Sequence, residues 1–147
     1  MAETAKITRE EKKAAYVKML AGCRNIQARW QLIAYQHPQS LIANLESATA
    51  DLTEERDHMR TGLPEIELLG LQEVIQLITQ FTERTGDLLT KFINSSESAI
   101  ERSGQASPDT LSEAQATVRE EIAKNEIPAI YLEMQATMRR EILGEPN

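Results

Sequence analysis

The rarest reactive side chains of this chain lie together in one short segment. Residues 23–38 read CRNIQARWQLIAYQHP and hold the only cysteine, the only tryptophan and one of the two histidines. Cys23, Trp30 and His37 are spaced seven residues apart, a spacing that aligns side chains on one face of a helix. A thiol and an imidazole that met at one point would suit metal binding or nucleophilic catalysis.

Helical geometry argues against such a site. Seven residues advance about 10.5 Å along a helix, whereas the ligands of a zinc ion lie about 2 Å from it. Cys23 and His37 would be about 21 Å apart on a continuous helix, too far to act as nucleophile and base. The segment is therefore interpreted as a packing stripe in which the free cysteine behaves as a small apolar residue. A thiol that faces a partner chain is the alternative left open.

A second candidate pair, Glu55 and His58, has the Glu-x-x-His spacing that di-iron bundles use twice. The second pair is missing, because Ala34 stands three residues before His37. The chain also lacks a Gly-rich phosphate loop, a Gly-x-Ser-x-Gly elbow and a His-Glu-x-x-His motif. The sequence therefore predicts no catalytic residues, no metal and no cofactor, and His58 is interpreted as a surface residue near a helix end.

Apolar residues recur at helical spacing along the chain, and no segment alternates with the period of a strand. The first helix is predicted to open with a Thr8–Glu11 capping box and to run to about residue 36, where His37-Pro38 interrupts it. A second helix is predicted over 39–60, with a boundary at Thr61-Gly62-Leu63-Pro64.

The third helix is predicted to follow Pro64 and to carry an apolar face wide enough to contact several neighbours. A fourth helix is predicted to start at Ser107-Pro108, because serine caps helix N-termini and proline suits the first turn. Asn125 to Pro128 interrupts again, before a last helix that ends near Gly144.

Together these elements predict an all-α fold, an elongated antiparallel bundle of four to five helices in a single domain over residues 1–147. Residues 1–7 and 144–147 are predicted to be flexible ends, and 94–110 a polar loop. Helices of this length would make a rod about 43 Å long or more. A rod exposes apolar seams unless another chain covers them, so self-association is expected, with a dimer favoured.

Charge and composition narrow the function classes. The net charge is −7, which disfavours a general nucleic-acid binder, although residues 1–36 balance at +4. The sequence contains no run of about 18 apolar residues, so no membrane span is predicted. One cysteine forms no internal disulfide, so a cytoplasmic protein is expected.

The leading hypothesis is a non-enzymatic interaction, assembly or adaptor protein that self-associates and engages a protein partner through an apolar helical face. The candidate interaction residues form a stripe of the first helix together with two methionines of the last: Tyr16, Cys23, Ile26, Trp30, Ile33, Met134 and Met138. One alternative is a regulator that contacts nucleic acid through the basic first helix. The other is a small-molecule-binding bundle with an apolar pocket around Phe81 and Phe92.

Overall fold

The computed structural model describes the backbone of residues 2–143 and the side chains of residues 9–143. Its five helices are α1 (Ala2–Tyr35), α2 (Pro38–Leu69), α3 (Gln72–Ser103), α4 (Pro108–Ala123) and α5 (Glu126–Leu143). These helices account for nearly all of the described backbone, which contains no strand. The all-α prediction is confirmed.

The helices form an up-down-up-down bundle whose fourth member is broken into two pieces. α1 and α2 make an antiparallel hairpin, and α3 packs against α2, α4 and α5. α4 and then α5 return antiparallel to α3, since Arg102 pairs with Glu113 on α4 and Arg84 pairs with Glu126 on α5. Helices of 32 residues span about 48 Å, so the bundle is elongated.

α3 packs its wide apolar face against several neighbours, as the sequence predicted, and buries it in the core together with the stripe of α1. Among its buried residues, Phe81 and Phe92 have no exposed surface. The Phe92 ring meets Trp30 of α1 edge-to-face, with ring centroids 6.0 Å apart and planes at 85°, an arrangement that aromatic pairs favour. Because both phenyl rings are fully enclosed by other protein atoms, the structure gives no support for a ligand pocket around them.

The predicted boundary at Thr61–Pro64 is wrong. α2 continues through Pro64 to Leu69, because the buried stripe that contains Leu52 and Met59 extends to Ile66, which has no exposed surface. Burial of this turn offsets the backbone hydrogen bond that Pro64 cannot donate. The helix ends instead at Gly70, where a Cβ would lie 2.8 Å from both the Ile66 carbonyl oxygen and the Tyr16 hydroxyl. Only glycine fits that close approach.

The predicted polar loop over 94–110 is also wrong for most of its length. α3 continues to Ser103, with Ser96 and Ala99 buried. The hydroxyl of Ser96 donates to the Phe92 carbonyl at 2.8 Å, and that of Ser103 donates to the Ala99 carbonyl at 3.1 Å. The serines are therefore satisfied within the helix, so a polar sequence did not require a loop. The connection shortens to residues 104–107 and opens with Gly104 at φ 85°, as a helix C-cap glycine does.

The other element ends follow the sequence closely, apart from the first. α1 begins at Ala2, so the helix passes through the predicted capping box at Thr8 and includes residues 2–7, one of the predicted flexible ends. Met1 and residues 144–147, which complete the two predicted ends, lie outside the described residues. α2 opens at Pro38, with the His37 Nδ1 accepting from the Gln39 N–H at 3.1 Å. The Ser107 cap and the break near Asn125, whose φ is 60°, are confirmed.

Candidate interaction groove

All seven residues predicted to contact a partner lie inside the bundle. Exposed fractions are 3% or less for each of Tyr16, Cys23, Ile26, Trp30, Ile33, Met134 and Met138. They pack on their own chain: Cys23 Sγ lies 3.9 Å from Met134 Sδ, and Trp30 contacts Phe92. In this fold the stripe of α1 is core, and a surface for a partner must be sought among other residues.

The Cys23 thiol is fully buried, and its burial raises its pKa to about 12 from an ordinary value of 9.0. A thiolate is the reactive form of cysteine, and an apolar site disfavours it. The alternative in which this thiol faces a partner chain therefore has no support in the monomer. Because the native pKa is raised, the stability that the buried thiol contributes is full below about pH 9 and falls as pH rises from there toward about 12.

Cys23 is expected to be inert toward DTNB at pH 8 in the folded protein and to react fully in guanidinium chloride. The native rate should be limited by opening of the bundle, so it should rise in parallel when the core is destabilised, for example by Ile26→Val. The measurement is absorbance of the released thiolate with time. Rapid labelling of the folded protein, at a rate that Ile26→Val leaves unchanged, would mean that the thiol is accessible without unfolding.

In the part of the chain that the structure describes, Glu55 and His58 belong to no cluster of potential metal ligands. Glu55 Oε1 lies 3.9 Å from Arg29 Nη2, and the same arginine pairs with Asp51 at 2.9 Å. Across the side chains that the structure describes, no three His, Cys, Asp or Glu residues cluster as metal ligands would. His58 is exposed, as predicted, but it does not lie near a helix end, because α2 continues to Leu69. Glu55 serves the packing of α2 against α1.

At the opposite end of α1 from Tyr35, charged side chains attach this helix to α5. Arg9 Nε donates to the Ile142 carbonyl at 2.9 Å. A cation at this position stabilises the C-terminal end of α5, which carries partial negative charge. Lys12 pairs with Glu141 at 2.7 Å, and the Tyr16 hydroxyl donates to the same carboxylate. Burial and the Glu141 carboxylate both raise the pKa of Tyr16 above its ordinary range. These contacts fix the spacing of α1 and α5.

The other end of α1 is completed by α4. The last turn of α1 contains no basic residue, and the carbonyls at the end of this helix need hydrogen-bond donors from elsewhere. The Gln115 amide, 2% exposed, donates to the carbonyls of Ile33 at 2.9 Å and Gln36 at 2.8 Å. Arg119 Nη1 donates to the Ala34 carbonyl at 2.9 Å. Sequence reasoning missed Gln115, because nothing local distinguishes it from the other glutamines.

A surface groove of about 340 Å³ lies between α1 and α5 near the Arg9–Ile142 contact. We name it the α1–α5 groove, and six of its residues are used below: Val17, Leu20, Ile142 and Leu143, which are apolar, and Lys13 and Arg139, which are basic. Two of the predicted interaction residues, Tyr16 and Met138, form its base. No acidic side chain lines it.

Exposure distinguishes this groove from ordinary packing. Val17 and Leu143 each expose 55% of their surface, while Lys13 and Arg139 are exposed and belong to none of the ion pairs among the described residues. A sequence signal for it existed: Val17 and Leu20 each follow a core residue by one position and share a flank of α1 with Lys13.

No known protein family matches the chain, and neither the curated proteins nor the solved structures gave a significant match. None of the described helices combines the length and the apolar character needed to span a membrane. By its architecture the protein is an elongated four-helix bundle with a broken fourth helix.

Proposed function

We propose that this protein is a non-enzymatic interaction module, an assembly or adaptor protein that self-associates and binds protein helices through the α1–α5 groove. The single observation that carries the proposal is an apolar groove with a basic rim on a protein of net charge −7. Single exposed apolar residues are ordinary on protein surfaces. Several exposed apolar residues that line one concave site are typical of a binding site. As part of the same proposal we place the protein in the cytoplasm, since its one cysteine is a buried free thiol.

The shape of the groove favours a helix as its occupant. Lys13, Val17 and Leu20 are spaced four and three residues apart on α1, and Arg139 and Leu143 four apart on α5. Two such parallel ridges leave a furrow into which a third helix packs its apolar side chains. The basic rim adds a charge requirement, since acidic residues flanking the apolar face of the occupant would lie beside Lys13 and Arg139.

A nucleic-acid partner is the less favoured function. Of the basic side chains of α1, Lys12 and Arg29 pair with acidic residues of α5 and α2, and Arg9 caps α5. The ion pairs of Lys12 and Arg29 offset part of the excess positive charge that the sequence placed in the first helix. Phosphate-driven binding requires a concentrated basic surface, whereas the two rim cations of the groove flank an apolar floor.

Two synthetic amphipathic helices of about 16 residues (~24 Å) test the proposal. Both carry the same leucines at helical spacing, and glutamates flank the apolar face in one and lysines in the other. We expect fluorescence anisotropy to show binding of the acidic peptide alone, weakening as salt increases. Val17→Glu is expected to weaken binding at least about tenfold, because it places a carboxylate in the apolar floor beside the peptide glutamates.

Leu32→Glu is the matched control, since Leu32 is on the same helix and similarly exposed at 62% but lies beside α2. This variant should bind the acidic peptide as the unmodified protein does. Equal binding of both peptides, or equal loss with Leu32→Glu and Val17→Glu, would contradict the proposal that the groove is the binding site.

A further inference from the structure

The turn between α2 and α3 presents the most exposed large apolar side chain among the described residues. Leu68 exposes 87% of its surface and Leu71 exposes 46%. Leu68 follows the buried Ile66 by two positions, which turns it about 200° around the helix and away from the core. Nothing in the monomer covers Leu68, and its exposure is not needed to form the turn, because Gly70 supplies the close approach there.

The chain segment around Leu68 contains acidic residues and no basic ones. Residues 61–83 contain glutamates at 65, 67, 73 and 83 and no lysine or arginine. Glu65, Glu67 and Glu73 are all exposed. We name the segment 65–73 the acidic knob. Its leucines and glutamates have the chemistry that the α1–α5 groove requires of an occupant.

We propose that the groove is filled by the acidic knob of a second copy of this chain, with Leu68 and Leu71 against Val17 and Leu143. This inference rests on the proposed function and names its partner. The glutamates of the knob then lie beside Lys13 and Arg139, so each copy supplies both the charge and the apolar surface that the other lacks.

The position of the two features permits a closed, two-fold dimer. Tyr16 forms part of the base of the groove, and its hydroxyl lies 2.8 Å from where a Cβ on Gly70 of the knob would be. Groove and knob are therefore at the same end of the bundle. A two-fold axis at that end pairs each knob with the groove of the other copy, which uses both sites and leaves none open for further growth.

Two single substitutions and their mixture test the inference. Val17→Glu inactivates the groove and leaves the knob intact, and Leu68→Glu inactivates the knob and leaves the groove intact. Sedimentation equilibrium on the full chain should show a dimer for the unmodified protein. Each variant alone should have a dimer dissociation constant raised at least about 100-fold, which is about 2.7 kcal/mol.

The mixture distinguishes this interface from others. One copy of each variant retains one intact knob–groove contact, so equimolar mixing should restore a heterodimer tighter than either variant homodimer and weaker than the unmodified dimer. A symmetric contact of groove with groove would give no such recovery. Both positions are exposed, so circular dichroism should show unchanged helix content, and Leu32→Glu should dimerise normally.

The outcomes separate the inference from the proposed function. A monomer that binds the acidic peptide through Val17 overturns the knob as occupant and the self-association in the proposed function, and leaves only the binding of a different protein's helix by the groove standing. A dimer that persists in Leu68→Glu also overturns the inference. A monomer that binds neither peptide overturns both.

Discussion

Phe92→Ala is expected to lower the free energy of unfolding by about 3–5 kcal/mol, the range for removal of a buried phenyl ring. Phe92 has no exposed surface and contacts α1 through Trp30. Its loss leaves a cavity between α3 and α1, beside Trp30. Chemical denaturation followed by circular dichroism measures the change.

Phe81→Ala is the matched control for the aromatic contact. Phe81 is on the same helix and equally buried, so its loss should cost a similar amount of stability. Only Phe92→Ala should change the emission of Trp30, the single tryptophan, by removing the ring packed against its edge. A comparable change of native emission in both variants would mean that the emission reports general loosening of the core and not the ring pair.

Gln115→Met is expected to lower the free energy of unfolding by about 2–4 kcal/mol with little change in side-chain volume. Methionine cannot donate to the buried carbonyl of Ile33 or to the partly buried carbonyl of Gln36, and an unpaired buried acceptor costs about 1–3 kcal/mol. The hydrogen-bond lengths of 2.9 and 2.8 Å indicate that both contacts are fully formed. The loss should appear in thermal or chemical unfolding as a single cooperative transition.

Gln76→Met serves as the control, because Gln76 is exposed on α3 and surface substitutions usually change stability by less than about 0.5 kcal/mol. Amide hydrogen exchange adds a positional readout: in Gln115→Met, protection should fall first in the last turn of α1. If Gln115→Met is as stable as the Gln76→Met control, the two carbonyls find other donors and the capping role is wrong.

The sequence predicted the class of fold and most breaks between helices, because those depend on local chemistry. Ser107-Pro108 and Asn125 act on the backbone within a few residues, and both mark real helix ends. Pro64 and the serines after Phe92 carry similar local signals, yet both segments are helical. There, burial of Ile66 and Ala99 against other helices overrides local preference, and the partners of those residues cannot be read from a single sequence.

The burial of the candidate interaction residues within their own chain was not foreseen, for a related reason. A stripe such as Cys23, Trp30 and Ile33 shows that one face of α1 is apolar, but it does not show whether the covering surface belongs to the same chain. The structure supplies α3, α4 and α5 as that cover. Apolar residues that stay exposed, such as Val17 and Leu143, can be distinguished from core residues only once the neighbours of α1 are known.

The contacts of Gln115 and Arg119 with the end of α1 join residues 79 to 85 positions apart in the chain, and Arg9 meets Ile142 across 133. Synthesis proceeds at about 5–20 residues per second from the N-terminus. The α1–α2 hairpin therefore leaves the ribosome several seconds before the donors that complete α1 exist. Closure of the bundle around α1 therefore waits for the last third of the chain, and the α1–α2 hairpin gains these contacts only then.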